Sequence, residues 1–145
     1  YDKSPIFDSP NPFVDYEVGL QSQDAICRKL KDALAIAIPI QEQPFTCGLT
    51  SFCDPLGLGK AVLVPENVGI DIDVEAHGIG KIVSPNNKQG WNNVISWVKK
   101  NKEETMEMGR RARLFAEENY NSKIFVKQIS QVLHHVITEN EVSCS

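Results

Sequence analysis

The chain has 145 residues, of which 41% are hydrophobic, and a formal net charge of -4 at pH 7. A single domain of this size can bury a core without disulfides, and its acidic balance excludes the basic surface that nucleic-acid binding requires. No apolar stretch is long enough to span a bilayer, and the start lacks the order of a signal peptide, so we expect a soluble protein.

The four cysteines, Cys27, Cys47, Cys53 and Cys144, contain no Cys-x-x-Cys spacing. Structural zinc sites need a second close pair of ligands, and disulfides belong mainly to oxidising compartments. We therefore expect free thiols in a reducing cytosol and no metal site.

The N-terminal part of the chain begins with a proline-rich stretch. Residues 1–12 contain three prolines and predict an extended lead-in. Phe13–Val18 alternates apolar and acidic residues, as a half-exposed strand does. Ser22 can cap a following helix, and Ile26 and Leu30, one turn apart, supply the inner face of that helix.

Three short apolar segments follow the predicted end of this helix near Asp32. They are Ala33–Ile38, Lys60–Val64 and Lys81–Val83. Strands that are apolar on both faces are typical of a parallel sheet covered by helices, and the intervals between these segments are too long for hairpins. The order β-α-β-α-β predicts right-handed crossovers, with ligands bound beyond the carboxyl ends of the strands.

The last third of the chain predicts helices. Lys102–Glu118 is rich in strong helix formers, and apolar stripes at helical spacing lie on either side of it. The stripe before it consists of Trp91, Val94, Ile95 and Val98, and the stripe after it consists of Phe125, Ile129, Val132, Leu133 and Val136. We expect both stripes to be core. The second could be partly bare in a fragment, which would then self-associate to cover it.

The loop after the first of these strands is the predicted ligand site. Gly48 precedes Leu49, Thr50 and Ser51 at the start of a helix, where backbone N–H groups lack partners within the helix. These N–H groups and the two hydroxyls could hold the phosphates of a nucleotide. An ordinary helix cap by Thr50 or Ser51 explains the same residues.

Asp54 follows in the predicted helix, three to four residues from its start. A carboxylate there could accept hydrogen bonds from adjacent hydroxyls of a sugar. It could equally be a first-turn acid that interacts favourably with the helix dipole. The residues by themselves leave both interpretations open.

Several motifs in this order resemble the retaining glycosyltransferases of the two-domain GT-B architecture, which build capsular, O-antigen and other surface polysaccharides. Gly59–Val62 is similar to the entry of the family's strand after its acid-bearing helix, and Gly78–Pro85 to its Gly-hydrophobic-Gly-x-x-Val-x-Pro strand. Met108–Arg113, running into Glu117–Tyr120, is similar to its closing helix and the link after it. The resemblance extends from Phe13 to Val136 and covers most of the chain.

This resemblance implies an α/β fold, namely a Rossmann-like parallel sheet of at least three strands flanked by helices, with a helical C-terminus. It assigns residues 1–12 to a linker, 13–139 to a partial nucleotide-sugar-binding domain and 140–145 to a tail. The chain has no initiating methionine and the resemblance begins partway through the family's second domain, so we expect a fragment that lacks the N-terminal domain. We expect the fragment to be inactive, and its catalytic residues are unassigned.

The resemblance also implies roles for individual residues. Gly48, Leu49, Thr50 and Ser51 would hold the donor diphosphate. Asp54 would bind the ribose, although it is one methylene shorter than the family's usual glutamate. The family's nucleobase loop begins at Gly19 and Leu20. Many relatives carry another glutamate eight positions before the ribose acid, where this chain has Thr46, so it is similar to the branch with Gly-x-Thr-Ser at the helix start.

The implied function is transfer of a hexose from a UDP- or GDP-sugar to a growing surface glycan or lipid-linked acceptor, without a metal or other cofactor. The Met108–Tyr120 segment favours this function over a nucleotide-sugar 2-epimerase on the same scaffold. A non-catalytic α/β interaction module is the alternative from another class, and direct nucleotide binding would distinguish it.

Other polar clusters predict structural roles. Six basic residues, Lys99, Lys100, Lys102, Arg110, Arg111 and Arg113, lie among glutamates. A solvated helix face explains them, and contact with anionic lipid is the alternative, which would place a cytoplasmic protein at the inner membrane face. His77, His134 and His135 have no ligand partners at suitable spacing and predict surface or cap positions.

Overall fold

The computed structural model describes residues 19–40, 49–66, 72–84 and 86–142. The elements follow in the order α1 (Gln23–Asp32), β1 (Ala35–Ala37), α2 (Leu49–Gly57), β2 (Ala61–Pro65), β3 (Gly80–Val83), α3 (Lys88–Lys100), α4 (Lys102–Asn119) and α5 (Ser122–Val142). The predicted lead-in, the Phe13–Val18 strand and Gly48 lie outside the described residues.

The three strands form one parallel sheet in the order β1-β2-β3. Ile36 of β1 lies opposite Val62 of β2, and Val64 of β2 lies opposite Ile82 of β3. The three apolar segments predicted as strands of the sheet are each present within two residues of their expected bounds, and the predicted fold class is confirmed. The buried side chains of β2 explain its central place, because a middle strand is covered on both faces.

The core fills one face of this sheet and is covered by α2 and α4. Its buried members are Ile38, Phe52, Leu56, Val62, Val64, Val74, Ile79, Ala112 and Ala116. The opposite face carries α3, where the Lys81 ammonium lies 5.0 Å from the centre of the Trp97 ring. Lys81 points away from the core face because successive strand residues alternate between faces. Helices therefore cover both faces, as the strand composition predicts.

The end of α2 contacts α4 through two glycines. Gly59 has a φ of +69°. The N–H of Lys60 donates to the carbonyl of Pro55 at 2.9 Å, and the N–H of Gly59 donates to the carbonyl of Leu56 at 3.0 Å. This pattern is the Schellman helix ending. A Cβ added at Gly109 of α4 would lie 2.3 Å from the carbonyl oxygen of Gly59. The two helices approach this closely because both positions lack a side chain.

A second contact fixes α4 against the turn before β3. Nε of Arg111 donates to the carbonyl oxygen of Gly78 at 2.7 Å, and Nη2 of Arg111 contacts Oε1 of Glu104 at the same distance. Gly78 has a φ of +62°, a conformation that glycine adopts readily. Gly78 thus belongs to the turn before β3, and Arg111 holds that turn in place.

Ser22 caps α1 as predicted, since its side-chain oxygen accepts from the N–H of Ala25 at 3.3 Å, and the helix ends at Asp32. The stripe on α3 is only partly core. Val98 is buried, whereas Ile95 is 45% exposed.

The expectation that the apolar stripe of α5 is core is wrong for this structure, which instead agrees with the alternative that the stripe is bare. The apolar face of α5 comprises Phe125, Val126, Ile129, Val132, Leu133, Val136 and Ile137, and these side chains are between 43% and 63% exposed. An amphipathic pattern shows that a face favours burial, but it does not supply the surface that buries it. Among the described residues, no helix is long and apolar enough to cross a membrane.

Candidate functional site

A cleft of about 630 Å³ lies at the carboxyl end of β1, between α1 and α2. It is lined by Gln23, Ile26, Leu30, Ile36, Ala37, Ile38, Pro39, Ile40, Thr50, Ser51, Asp54 and Pro55. Ligands of parallel α/β sheets bind beyond the carboxyl ends of the strands, so the cleft lies where the fold predicts a site. It contains three of the residues that the sequence assigned to ligand binding.

The floor of the cleft is apolar. Ile36 and Ile40 come from β1 and its continuation, while Ile26 and Leu30 come from the inner face predicted for α1. No residue of α1 is fully buried. The inner face of α1 therefore borders the open cleft instead of packing tightly on the sheet, and it offers apolar surface to a ligand.

The rim of the cleft is polar and includes the start of α2. Thr50 and Ser51 are exposed in the first turn of this helix, which begins at Leu49. Backbone N–H groups of a first helical turn lack partners within the helix and favour anions. Pro55 lies inside α2 and has no N–H, so it cannot donate the usual bond to the carbonyl of Ser51. The rim thus combines two hydroxyls with the backbone N–H groups of a first helical turn.

Asp54 lies deeper in α2 than the sequence suggested. It is the sixth residue of the helix, and the first turn contains no acid. The interpretation of Asp54 as a first-turn acid is therefore wrong. Its Oδ2 instead accepts a hydrogen bond from Nε2 of Gln23 on the opposite wall at 3.1 Å. The carboxylate consequently belongs to the cleft and faces α1.

Gln23 is a site residue that the sequence analysis missed. It opens α1, and parallel crossovers place the starts of α1 and α2 at the same edge of the sheet. That topology was the available signal, because Gln23 belongs to no motif. The contact joins residues 31 positions apart in sequence.

Gly19 and Leu20 lie just before α1, at the same edge of the sheet. Gly19 has a φ of +118°, and the side chain of Leu20 is fully exposed. Neither residue lines the cleft. Their assignment to a nucleobase loop stays a prediction.

Cys53 lies beside Asp54 and is a free thiol, as is Cys27. Burial raises the pKa of the Cys53 thiol, and the negative charge of Asp54 raises that pKa further. A thiol with a raised pKa stays protonated at neutral pH and is a poor nucleophile or metal ligand. In the described ranges, no three His, Cys, Asp or Glu residues cluster as metal ligands would.

A larger cavity, of about 810 Å³, lies at the junction of α3 and α4. It is lined by Lys99, Lys100, Asn101, Lys102, Glu103, Glu104, Glu107 and Arg110. Glutamates pair with the arginines of this region, as in Arg110 with Glu107 and Arg113 with Glu117. Such interleaved charges agree with a solvated helix face, and the cavity has no apolar floor to hold a ligand. The ring of His77 packs 4.6 Å from that of Phe115, which is a structural role.

Comparisons with known proteins give a neighbour at the level of fold. No protein-family model matches the sequence, and no curated protein matches it. The structure is similar to the sucrose-phosphate synthase of Thermosynechococcus elongatus, a GT-B glycosyltransferase, with a TM-score of 0.72 and 16% sequence identity. The similarity covers 84% of this chain and 30% of the synthase, so the chain spans less than a third of that protein's length. The shared fold agrees with a partial GT-B domain.

Proposed function

We propose that this chain is the donor-binding portion of a glycosyltransferase, and that the cleft between α1 and α2 binds a UDP- or GDP-sugar. The observation that carries this proposal is the placement of Thr50, Ser51 and Asp54 on one helix, at the carboxyl end of the half-buried parallel strand β1. The reaction would transfer a hexose to a growing surface glycan or a lipid-linked acceptor.

The start of α2 would hold the diphosphate. N–H groups of Leu49, Thr50 and Ser51 and the two hydroxyls would donate to phosphate oxygens, with Gly48 allowing close approach of the backbone. Transfer releases a nucleoside diphosphate, whose negative charge grows as the glycosidic bond breaks. Donors fixed in advance around that charge stabilise the transition state, so the same residues would serve binding and catalysis.

The opposite end of the cleft would bind the nucleoside. The carboxylate of Asp54 accepts hydrogen bonds and suits the two hydroxyls of a ribose. The apolar floor at Ile36 and Ile40 would pack against the ligand, while Gly19 and Leu20 would contact the base through their backbone. We expect no metal and no other cofactor. The acceptor site and the remaining catalytic groups would belong to another domain of the same enzyme.

Titration with nucleotides, followed by NMR, tests this proposal. We expect UDP or GDP to shift the amide signals of residues 48–54 with a dissociation constant on the order of 1 mM, or about -4 kcal/mol. The affinity should be weak because none of the described residues that line the cleft has a basic side chain to pair with the phosphates. Unmoved amide signals at several times that concentration, in a folded chain, would favour the interaction module instead.

Two substitutions separate the parts of the site. Asp54→Ala should lower the affinity for UDP and GDP about tenfold, because the carboxylate would contact the nucleoside. The affinity for inorganic diphosphate should not change. Gly48→Leu should lower the affinity for all three ligands, because a bulky side chain would block their approach to the N–H groups. Glu118→Ala, on the exposed part of α4, is the matched control and should change none of these affinities.

A further inference from the structure

The side chain of Gln23 joins the two walls of the cleft. Nε2 of Gln23 donates to Oδ2 of Asp54 at 3.1 Å, and the same nitrogen lies 3.9 Å from Sγ of Cys27, one turn further along α1. Gln23 is thus held against its own helix while it reaches the carboxylate on α2. This contact restricts the directions in which the carboxylate of Asp54 can point.

The orientation of the amide follows from the chemistry of its partner. An ionised carboxylate only accepts hydrogen bonds, so the amide nitrogen of Gln23 faces Asp54 and its Oε1 faces the other way. Asp54 therefore presents a row of two acceptor oxygens, and the hydrogen bond from Gln23 to Oδ2 sets the direction of that row. A ligand matches such a row when it carries adjacent donors, as the 2′ and 3′ hydroxyls of a ribose do.

We propose that Gln23 is a positioning residue that fixes Asp54 for the two ribose hydroxyls, so that the cleft selects ribonucleoside diphosphates over their 2′-deoxy counterparts. The inference rests on the proposed function and specifies its ligand class. Loss of one hydroxyl leaves an acceptor unpaired, which weakens binding more where that acceptor is shielded from water. Asp54 is half-buried and Gln23 is exposed. The selectivity should thus be about tenfold, below that of closed pockets.

The substitution Gln23→Met tests this role, because methionine keeps the length and apolar packing of the side chain and removes the amide. The affinities of UDP, 2′-deoxy-UDP, GDP and 2′-deoxy-GDP would be measured from the amide signals of residues 49–54. In the unmodified chain, we expect the better-bound ribonucleotide to have an affinity about tenfold higher than that of its 2′-deoxy form. In Gln23→Met that ratio should fall to about twofold or less, mainly through weaker binding of the ribonucleotide.

The matched control is Gln89→Met on α3, where Nε2 of Gln89 donates to Oδ1 of Asn93 at 2.8 Å, away from the cleft. This variant should keep the full selectivity. Inorganic diphosphate should bind the unmodified chain and Gln23→Met equally, because it touches neither Gln23 nor Asp54.

The ratio distinguishes positioning from a general structural role. If Gln23→Met merely loosened α1, the ribo and deoxy ligands would weaken together and their ratio would persist, which would overturn the inference and leave the proposed function standing. If neither UDP nor GDP binds the folded, unmodified chain, both the proposed function and the inference are overturned.

Discussion

The contact between α2 and α4 and the apolar face of α5 show two outcomes for helices with apolar stripes. Thr105, Met108, Gly109, Ala112 and Ala116 are buried on α4, and most of them are small. The corresponding face of α5 presents larger side chains, and these remain exposed. Small residues allow a helix backbone to approach its neighbour, whereas larger ones need a complementary surface. The position of a stripe in the fold, more than its apolar content, thus decides whether it is buried.

The largest expected difference in stability is between two Phe→Ala substitutions, one on α2 and one on α5. Phe52 is fully buried between the sheet and α4, and Phe125 on α5 is 63% exposed. Phe52→Ala should lower the free energy of unfolding by about 4 kcal/mol, whereas Phe125→Ala should lower it by less than about 1 kcal/mol. Urea denaturation followed by circular dichroism measures both. Similar losses in the two variants would show that α5 is covered in solution.

A smaller effect is expected at the glycine contact. Gly109→Val would place a Cβ 2.3 Å from the carbonyl oxygen of Gly59, which forces α2 and α4 apart and should lower stability by about 3 kcal/mol. Gly57→Ala is the matched control, because an added Cβ there meets no atom within 4 Å. Its midpoint in urea should stay the same or rise. An unchanged stability of Gly109→Val would contradict the close approach of α4 to the turn at Gly59.

Substitutions on the apolar face of α5 should change the stability least. They should instead change the self-association of the chain. We expect the chain to self-associate through the apolar face of α5, because burial of a large exposed apolar patch against a second copy is favourable. Sedimentation velocity should show a larger species as concentration rises, and Val132→Lys should shift the protein towards monomer. Gln131→Lys, also exposed, adds the same charge outside this face as a control. A strictly monomeric unmodified chain at high concentration would contradict the prediction.

The strands and α4 were predictable because their signals are local. Each strand is a short apolar segment, and Lys102–Glu118 consists of strong helix formers, so the predicted bounds differ from the structure by two residues or fewer. The exposure of the apolar face of α5 was not predictable in the same way, because a helical stripe does not indicate which surface would cover it. Local pattern therefore determined which elements form, and tertiary packing determined which of them contribute to the core.

The candidate site was predicted along α2 and missed across the cleft. Thr50, Ser51 and Asp54 follow a strand in sequence, and the structure places all three at the cleft. The depth of Asp54 in α2 depends on where the helix begins, and element boundaries are the least reliable part of a sequence prediction. The contact from Gln23 depends on the packing of α1 beside α2, which no short motif encodes.

The contact between Gly59 and Gly109 bears on how this protein could be divided. Every described residue that lines the cleft lies before residue 56, yet α2 is supported from behind by α4, which ends at Asn119. A truncation after β3 would retain all of the lining residues and remove the backbone surface that fixes the helix carrying Asp54. The smallest excisable unit that keeps this cleft intact therefore extends through α4, so the pocket belongs to a much longer segment than the one that forms its walls.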